Sequence, residues 1–300
     1  MKTKTYLFAL MAMVLTLGSC SDNENGIGGE TSKYITVSTS IGNMTRVATD
    51  AKGGQTFEEG DEISVYAWIG APTVAPETRE RVVNNAINKL TNGSWVATPQ
   101  MLWKNNRDKH YFIGVYPTAA ISDFTAGEYK LDVAKQEDSD LLVAVNKDGI
   151  SYNADEQQTV PLTFTHVMAK LAVNLTYKNQ WGGIPTVEKV VVGNAAKEAT
   201  INYLTKVVTP STTAKEDFSL PEITENTKYV SVIIPQEDVT QLTIVIGGKN
   251  FVYDNGTPFK LESGKITTVN LEVGRDEIKL GDVKITNWED GSTFSGEALN

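Results

Sequence analysis

The chain has 300 residues, of which 21% are charged, and a formal net charge of −10. Because a phosphate-binding surface needs clustered Lys and Arg, this charge balance argues against nucleic acid binding. A single Cys and two His exclude an internal disulfide and a zinc site built from several cysteines, and we expect no cofactor. The 40% of apolar residues can form one or two hydrophobic cores.

The chain begins with a targeting signal. Lys2 and Lys4 give a positive start, and the apolar run that follows is shorter than a membrane-spanning helix. The run ends in LGSC at residues 17–20, which resembles the bacterial lipobox, where small residues precede a lipidated cysteine. Residues 1–20 are therefore predicted to be a lipoprotein signal peptide with Cys20 as the lipidation site. An ordinary signal peptide with an incidental cysteine is the alternative.

The first strand is predicted at residues 33–41, where polar and apolar side chains alternate. One face of this strand carries Ile35, Val37, Thr39 and Ile41. The polar residues 42–46 then interrupt the pattern and end in Arg46.

Further strands are predicted along the rest of the chain, because apolar or alternating segments are separated by turn signals. They are residues 63–68, 95–103, 111–116, 141–145, 160–164, 170–177, 187–192, 229–234, 242–246, 251–253, 266–273 and 283–285. The segment 79–90 is predicted to be a short helix or a long loop. Many strands without a βαβ unit are typical of an all-β sandwich with antiparallel sheets.

The domain organisation is less sharply marked than the strands. No clear linker divides the chain, but residues 146–159 are polar and poor in strand-forming residues. This composition favours an N-terminal β-sandwich over residues 47–158 and a C-terminal β-sandwich over residues 159–300. Residues 21–46 precede them as a tether, or a disordered linker, followed by the first strand.

Catalytic motifs are absent from the sequence: there is no nucleophile elbow, phosphate loop, dinucleotide fingerprint or metalloprotease helix. His166 could serve as a general base, but no motif places a nucleophile near it, so we interpret it as a structural histidine at a strand end. Neighbouring carboxylates such as Glu58 and Glu59 are interpreted as solvated loop charges. The sequence predicts neither an enzyme nor a metal site.

Several short motifs follow one another in a specific order. They are FEEGDEISVYA at 57–67, FIGVYP at 112–117, SDLLVA at 139–144, LTFTHVMAKL at 162–171, IPQ at 234–236, the segment 259–271 around Gly264-Lys265, and VKITNW at 283–288. Together with the lipobox, this order resembles the fimbrillin-like family, the type V pilins and related major fimbrial subunit-like lipoproteins of Bacteroidetes. The resemblance extends over nearly the whole chain.

The resemblance implies two tandem transthyretin-like antiparallel β-sandwich domains. It also implies that an arginine-specific maturation protease cuts in the loop after the first strand. The matching position is Arg46, for which an ordinary exposed loop arginine is the alternative. Such a cut would release the lipidated Cys20 together with strand 33–41, and a C-terminal strand of a neighbouring subunit would fill the vacated groove. Residues 278–300 are the candidate donor strand.

The resulting functional prediction is a structural or tip subunit of a cell-surface fimbria, a cell adhesion organelle built by donor-strand exchange. Its expected partners are other fimbrial subunits and the maturation protease. The palmitate-bearing precursor would be anchored in the outer membrane before cleavage, and the mature chain would reside in the extracellular fimbrium. The alternative is a non-polymerising surface lipoprotein that binds glycans or host ligands.

Overall fold

The computed structural model describes residues 33–42, 56–156 and 158–288. Within these ranges the chain forms β1 (Thr36–Ile41), β2 (Glu62–Ile69), β3 (Arg81–Thr91), β4 (Ser94–Thr98), β5 (Lys109–Tyr116), β6 (Gly127–Lys130), β7 (Leu142–Ser151), β8 (Thr159–His166), β9 (Ala169–Tyr177), β10 (Val187–Ala196), β11 (Glu198–Asn202), β12 (Val207–Pro210), β13 (Lys215–Ser219), β14 (Glu222–Thr224), β15 (Lys228–Ile233), β16 (Gln236–Ile246), β17 (Lys249–Leu261), β18 (Lys265–Val273) and β19 (Ile278–Asn287). No helix in the described ranges is long and apolar enough to span a membrane.

The all-β class predicted from the sequence is confirmed, and the predicted strand segments coincide wholly or in part with strands of the structure. The segment 79–90 is the exception: its prediction as a helix or loop is wrong, because most of it forms β3. Asn85 in the middle of β3 has a positive φ of 58°, and the pairing of β3 with β2 shifts register nearby. This irregularity breaks the two-residue alternation by which a strand is recognised in a sequence.

The N-terminal half of the chain builds a seven-stranded sheet in the order β1-β8-β7-β5-β2-β3-β4. β1 is therefore an edge strand, and it runs parallel to β8. The two edges of the sheet approach each other, because Trp95 of β4 donates a hydrogen bond from Nε1 to Oγ1 of Thr39 in β1 at 3.0 Å.

The C-terminal half contains a four-stranded sheet, β13-β10-β16-β17, and a five-stranded sheet, β14-β15-β9-β18-β19. A three-stranded sheet, β12-β11-β6, joins β6 from the first half of the chain to two later strands. β9 and β18 run parallel, as β1 and β8 do, whereas the other pairs among the described strands are antiparallel. The expectation of antiparallel sheets therefore fails at these two pairs.

Two hydrophobic clusters lie on opposite faces of the seven-stranded sheet. Side chains of β2 point alternately to the two faces: Ile63 and Val65 belong to the first cluster, and Tyr66 and Trp68 belong to the second. The second cluster continues into the C-terminal sheets. The chain changes sheets between β8 and β9, about ten residues after the predicted boundary at 158. The division into two tandem domains stays a prediction.

Candidate assembly site

Residues 33–42, here called the N-terminal segment, lie in a slot with two walls. The first wall is β8, which pairs with β1 in parallel from Thr36↔Thr159 to Ile41↔Phe164. The second wall is the stretch 101–103, which runs antiparallel to the start of the segment. Ile35 donates its N–H to the Met101 carbonyl at 2.9 Å, and Trp103 donates its N–H to the Lys33 carbonyl at 3.2 Å.

Polar side chains fasten the N-terminal segment along its length. The Thr36 hydroxyl donates to the Gln158 carbonyl at 3.2 Å, and the Ser40 hydroxyl donates to Thr163 Oγ1 at 3.2 Å. At the end of the segment, the Gly42 N–H donates to the Phe164 carbonyl at 2.8 Å. The segment is thus hydrogen-bonded to the stretch 101–103 at its start and to β8 along the rest of its length.

Apolar burial adds to these hydrogen bonds. Ile35 is 3% exposed and Val37 is 6% exposed, and both belong to the hydrophobic cluster that includes Phe164 of β8. Thr39 and Ile41 on the same face are half-buried. A fully buried Val or Ile side chain contributes about 1.5–3 kcal/mol, so Ile35 and Val37 together contribute about 3–6 kcal/mol.

An aromatic cluster supports the slot near the first wall. The ring of Phe57 makes edge-to-face contacts with Trp95, Tyr116 and Phe164, with centroid separations of 5.3, 5.4 and 5.1 Å. Such T-shaped pairs contribute about 0.5–1.5 kcal/mol each beyond their buried area. The aromatic residues of the sequence motifs at 57–67, 112–117 and 162–171 therefore meet beside the slot.

His110 supports the second wall. Its Nε2 accepts a hydrogen bond from the Lys104 N–H at 3.1 Å, so the ring proton lies on Nδ1, which donates to the Asp108 carbonyl at 3.1 Å. The ring also makes an edge-to-face contact with Trp103 at 5.0 Å. Burial lowers the pKa of His110, because the charged imidazolium would lose its hydration there.

The candidate donor strand is described only in part, because residues 289–300 lie outside the described ranges. Residues 278–287 form β19, which pairs with β18 at the edge of the five-stranded sheet. Val283 and Ile285 lie opposite the buried Val269 and Thr267, yet they are 40% and 39% exposed. β19 thus carries two apolar side chains that its own subunit covers incompletely.

Trp288, the residue after β19, is packed against His166. The two rings are stacked with centroids 4.0 Å apart and an interplanar angle of 6°. His166 lies at the end of β8, as the sequence interpretation places it, and its Nδ1 is 2.8 Å from Oδ2 of Asp140. The ammonium of Lys170 lies 4.3 Å from the centroid of a Trp288 ring.

The two residues predicted as processing sites, Cys20 and Arg46, lie outside the described residues. Sequence reasoning did not find the second wall at 101–103 or the stacking partner of Trp288. Both depend on contacts between residues far apart in the chain. In the described part of the chain, no group of three His, Cys, Asp or Glu side chains could hold a metal ion.

Comparison with known proteins identifies the family. A model of the family described as fimbrillin-like matches residues 45–288. The chain belongs to the fimbrillin-like family. The match covers both walls of the slot and β19, whereas the whole N-terminal segment precedes it.

Solved structures share the fold of this fimbrillin-like chain. A proposed cell adhesion protein from Bacteroides uniformis is 18% identical with a TM-score of 0.63, and the match covers 86% of this chain and 100% of that one. A proposed cell adhesion protein from Bacteroides ovatus is 17% identical with a TM-score of 0.64, covering 85% and 98%. A fimbrial protein from Bacteroides vulgatus is 12% identical with a TM-score of 0.53, covering 84% and 99%. Among curated proteins, none matches.

Family membership sets the functional class. A fimbrillin-like chain is a fimbrial or cell adhesion subunit of the cell surface rather than an enzyme, and its partners are other fimbrial subunits.

Proposed function

We propose that this fimbrillin-like chain is a structural or tip subunit of a fimbria, assembled by protease-triggered donor-strand exchange. In this proposal Cys20 carries the lipid that anchors the precursor in the outer membrane. An arginine-specific protease then cuts after Arg46 and releases residues 20–46, with the lipid on Cys20. The mature chain, with sandwiches over 47–158 and 159–300, joins the extracellular fimbrium.

The observation that carries the proposal is the position of the N-terminal segment between two walls. Its removal would leave unpaired backbone groups on β8 and on the stretch 101–103, and it would uncover the apolar cluster beneath Ile35 and Val37. An unpaired strand edge is a template for a strand from another chain. A cut subunit therefore has a site that a neighbouring subunit can complete.

Energy favours refilling of the slot. The two buried side chains account for about 3–6 kcal/mol. Each hydrogen bond to the walls adds a net contribution of about 0.5–1.5 kcal/mol. A donor strand that restores these interactions recovers most of this free energy, so assembly would be favourable and slow to reverse. Before the cut, the N-terminal segment occupies the slot and prevents premature assembly.

The donor strand is proposed to come from residues 278–300. Within this range, Val283 and Ile285 are separated by one residue, as Ile35 and Val37 are in the N-terminal segment. Both pairs are β-branched, and side chains two residues apart in a strand point to the same face. The exposed pair thus has the spacing and shape that the slot requires.

The experiment that tests this proposal determines the N-terminus of the protein in purified fimbriae by mass spectrometry. The proposal predicts a lipid-free chain that begins at Val47. Arg46→Ala should leave the precursor folded and lipidated but block its assembly. Arg107→Ala, at an exposed loop arginine, is the matched control and should assemble normally.

Two results would contradict the proposal. One is a surface protein found only with an acylated Cys20 at its N-terminus. The other is normal assembly of the Arg46→Ala variant. A single lipidated form with affinity for a polysaccharide would instead support the non-polymerising surface lipoprotein.

A further inference from the structure

The strand β19 is held weakly by its own side chains. None of its ten residues is buried, although Ile278 and Leu280 are half-buried. Its neighbour β18 and the next strand of the sheet, β9, contain fully buried residues such as Val269 and Val173. Since buried apolar area is the main source of strand retention, backbone pairing with β18 is the principal force along β19 itself.

Trp288 is buried, with only 7% of its surface exposed, in contrast to the residues of β19 that precede it. One of its faces is stacked on His166, and the Lys170 ammonium lies over its ring. The backbone N–H of Trp288 also donates a hydrogen bond to the Gly264 carbonyl at 2.9 Å. Stacking, cation–π attraction and burial thus converge on the single residue that ends the described C-terminal strand.

The binding site of Trp288 is built from parts distant in the chain. His166 ends β8, the first wall of the slot, and Asp140 from the segment before β7 orients its ring. Gly264 in the β17–β18 turn has a φ of +66°, and a Cβ there would lie 3.1 Å from the His166 carbonyl. A glycine at this position allows the turn to approach His166 closely.

From this geometry we propose that Trp288 is a latch that holds the C-terminal strand in its own subunit. While the ring is stacked on His166, β19 stays paired with β18. When the ring leaves, β19 keeps its backbone pairing and only two half-buried apolar side chains, Ile278 and Leu280, and it can separate. This inference rests on the proposed function for its consequence: opening of the latch precedes the use of residues 278–300 as a donor strand.

Hydrogen exchange of the full-length chain, followed by mass spectrometry, tests the latch directly. Trp288→Ala should raise the exchange rate of peptides from residues 278–287 by about tenfold or more. Peptides from β9 should exchange at the wild-type rate. Trp288→Phe keeps a stacking ring and should lie between the two. Trp181→Ala is the matched control, because Trp181 contacts Phe251 and the Val273 carbonyl at the other end of β18.

An unchanged exchange rate at 278–287 in Trp288→Ala would overturn the latch, and so would an equal rise in β9. The consequence for assembly is tested separately, on chains cut after Arg46. Trp288→Ala should then polymerise faster than the wild type, and an equal rate would refute the link between the latch and donor release. If the cut wild-type chain does not polymerise at all, the proposed function fails, while the exchange result still decides whether the latch exists.

Discussion

Truncation of Ile35 measures how strongly the N-terminal segment is held in the slot. Ile35 is 3% exposed and packs in the cluster that contains Phe164 and Trp103. Replacing a buried Ile by Ala costs about 2–5 kcal/mol, depending on how far the site can collapse. Because the segment lies at the sheet edge and can relax, we expect Ile35→Ala to lower the free energy of unfolding by about 2–3 kcal/mol.

The assay is urea denaturation of the uncut precursor, followed by tryptophan fluorescence. Trp95 and Trp103 border the slot and report on it directly. Ser38→Ala is the matched control, because Ser38 is an exposed residue of the same strand. It should change the free energy of unfolding by no more than about 0.5 kcal/mol. If Ile35→Ala were as mild as Ser38→Ala, the segment would not be packed in the slot, and the energetic argument for exchange would fail.

Two further predictions concern the walls of the slot. Burial lowers the pKa of His110 below that of the unfolded chain, so the unfolded state binds the proton more readily. The free energy of unfolding should therefore have its full value above about pH 6.5 and fall as the pH drops below it. In His110→Gln, this part of the pH dependence should be absent from the denaturation curves. A Cβ at Gly114 would lie 2.6 Å from Cζ of Phe164. Gly114→Ala should therefore crowd the Phe164 ring and lower the free energy of unfolding, measured by thermal denaturation, by about 1–3 kcal/mol. Gly93→Ala is the control: its Cβ meets no atom within 4 Å, so it should show only the strain of its positive φ.

The sequence predicts the N-terminal segment correctly because its alternation is regular and its buried face begins with Ile35 and Val37. β3 is hidden, because Asn85 adopts a positive φ and interrupts the alternation. β11 and β13 went unpredicted for another reason: they are five residues long and include Glu198, Lys215 and Glu216. Their pairing partners, rather than their own composition, make such segments strands.

The candidate site shows the same limit. The segment itself follows from a local pattern, but its second wall at 101–103 depends on the pairing of Tyr34 with Leu102, which are 68 positions apart in the chain. The stacking of Trp288 on His166 joins residues that are 122 positions apart in the chain. Local periodicity carries no information about such contacts, because it reports which face of a strand is buried and not what buries it.

The proposed assembly requires that cleavage empties the slot and that another subunit refills it. Hydrogen exchange of the β8 amides tests it in three states: the uncut precursor, the chain cut after Arg46, and the assembled fimbria. Exchange should be slow in the precursor, fast in the cut chain, and slow again in the fimbria. Exchange at β8 that stays fast in the fimbria, or that never rises after the cut, would contradict it.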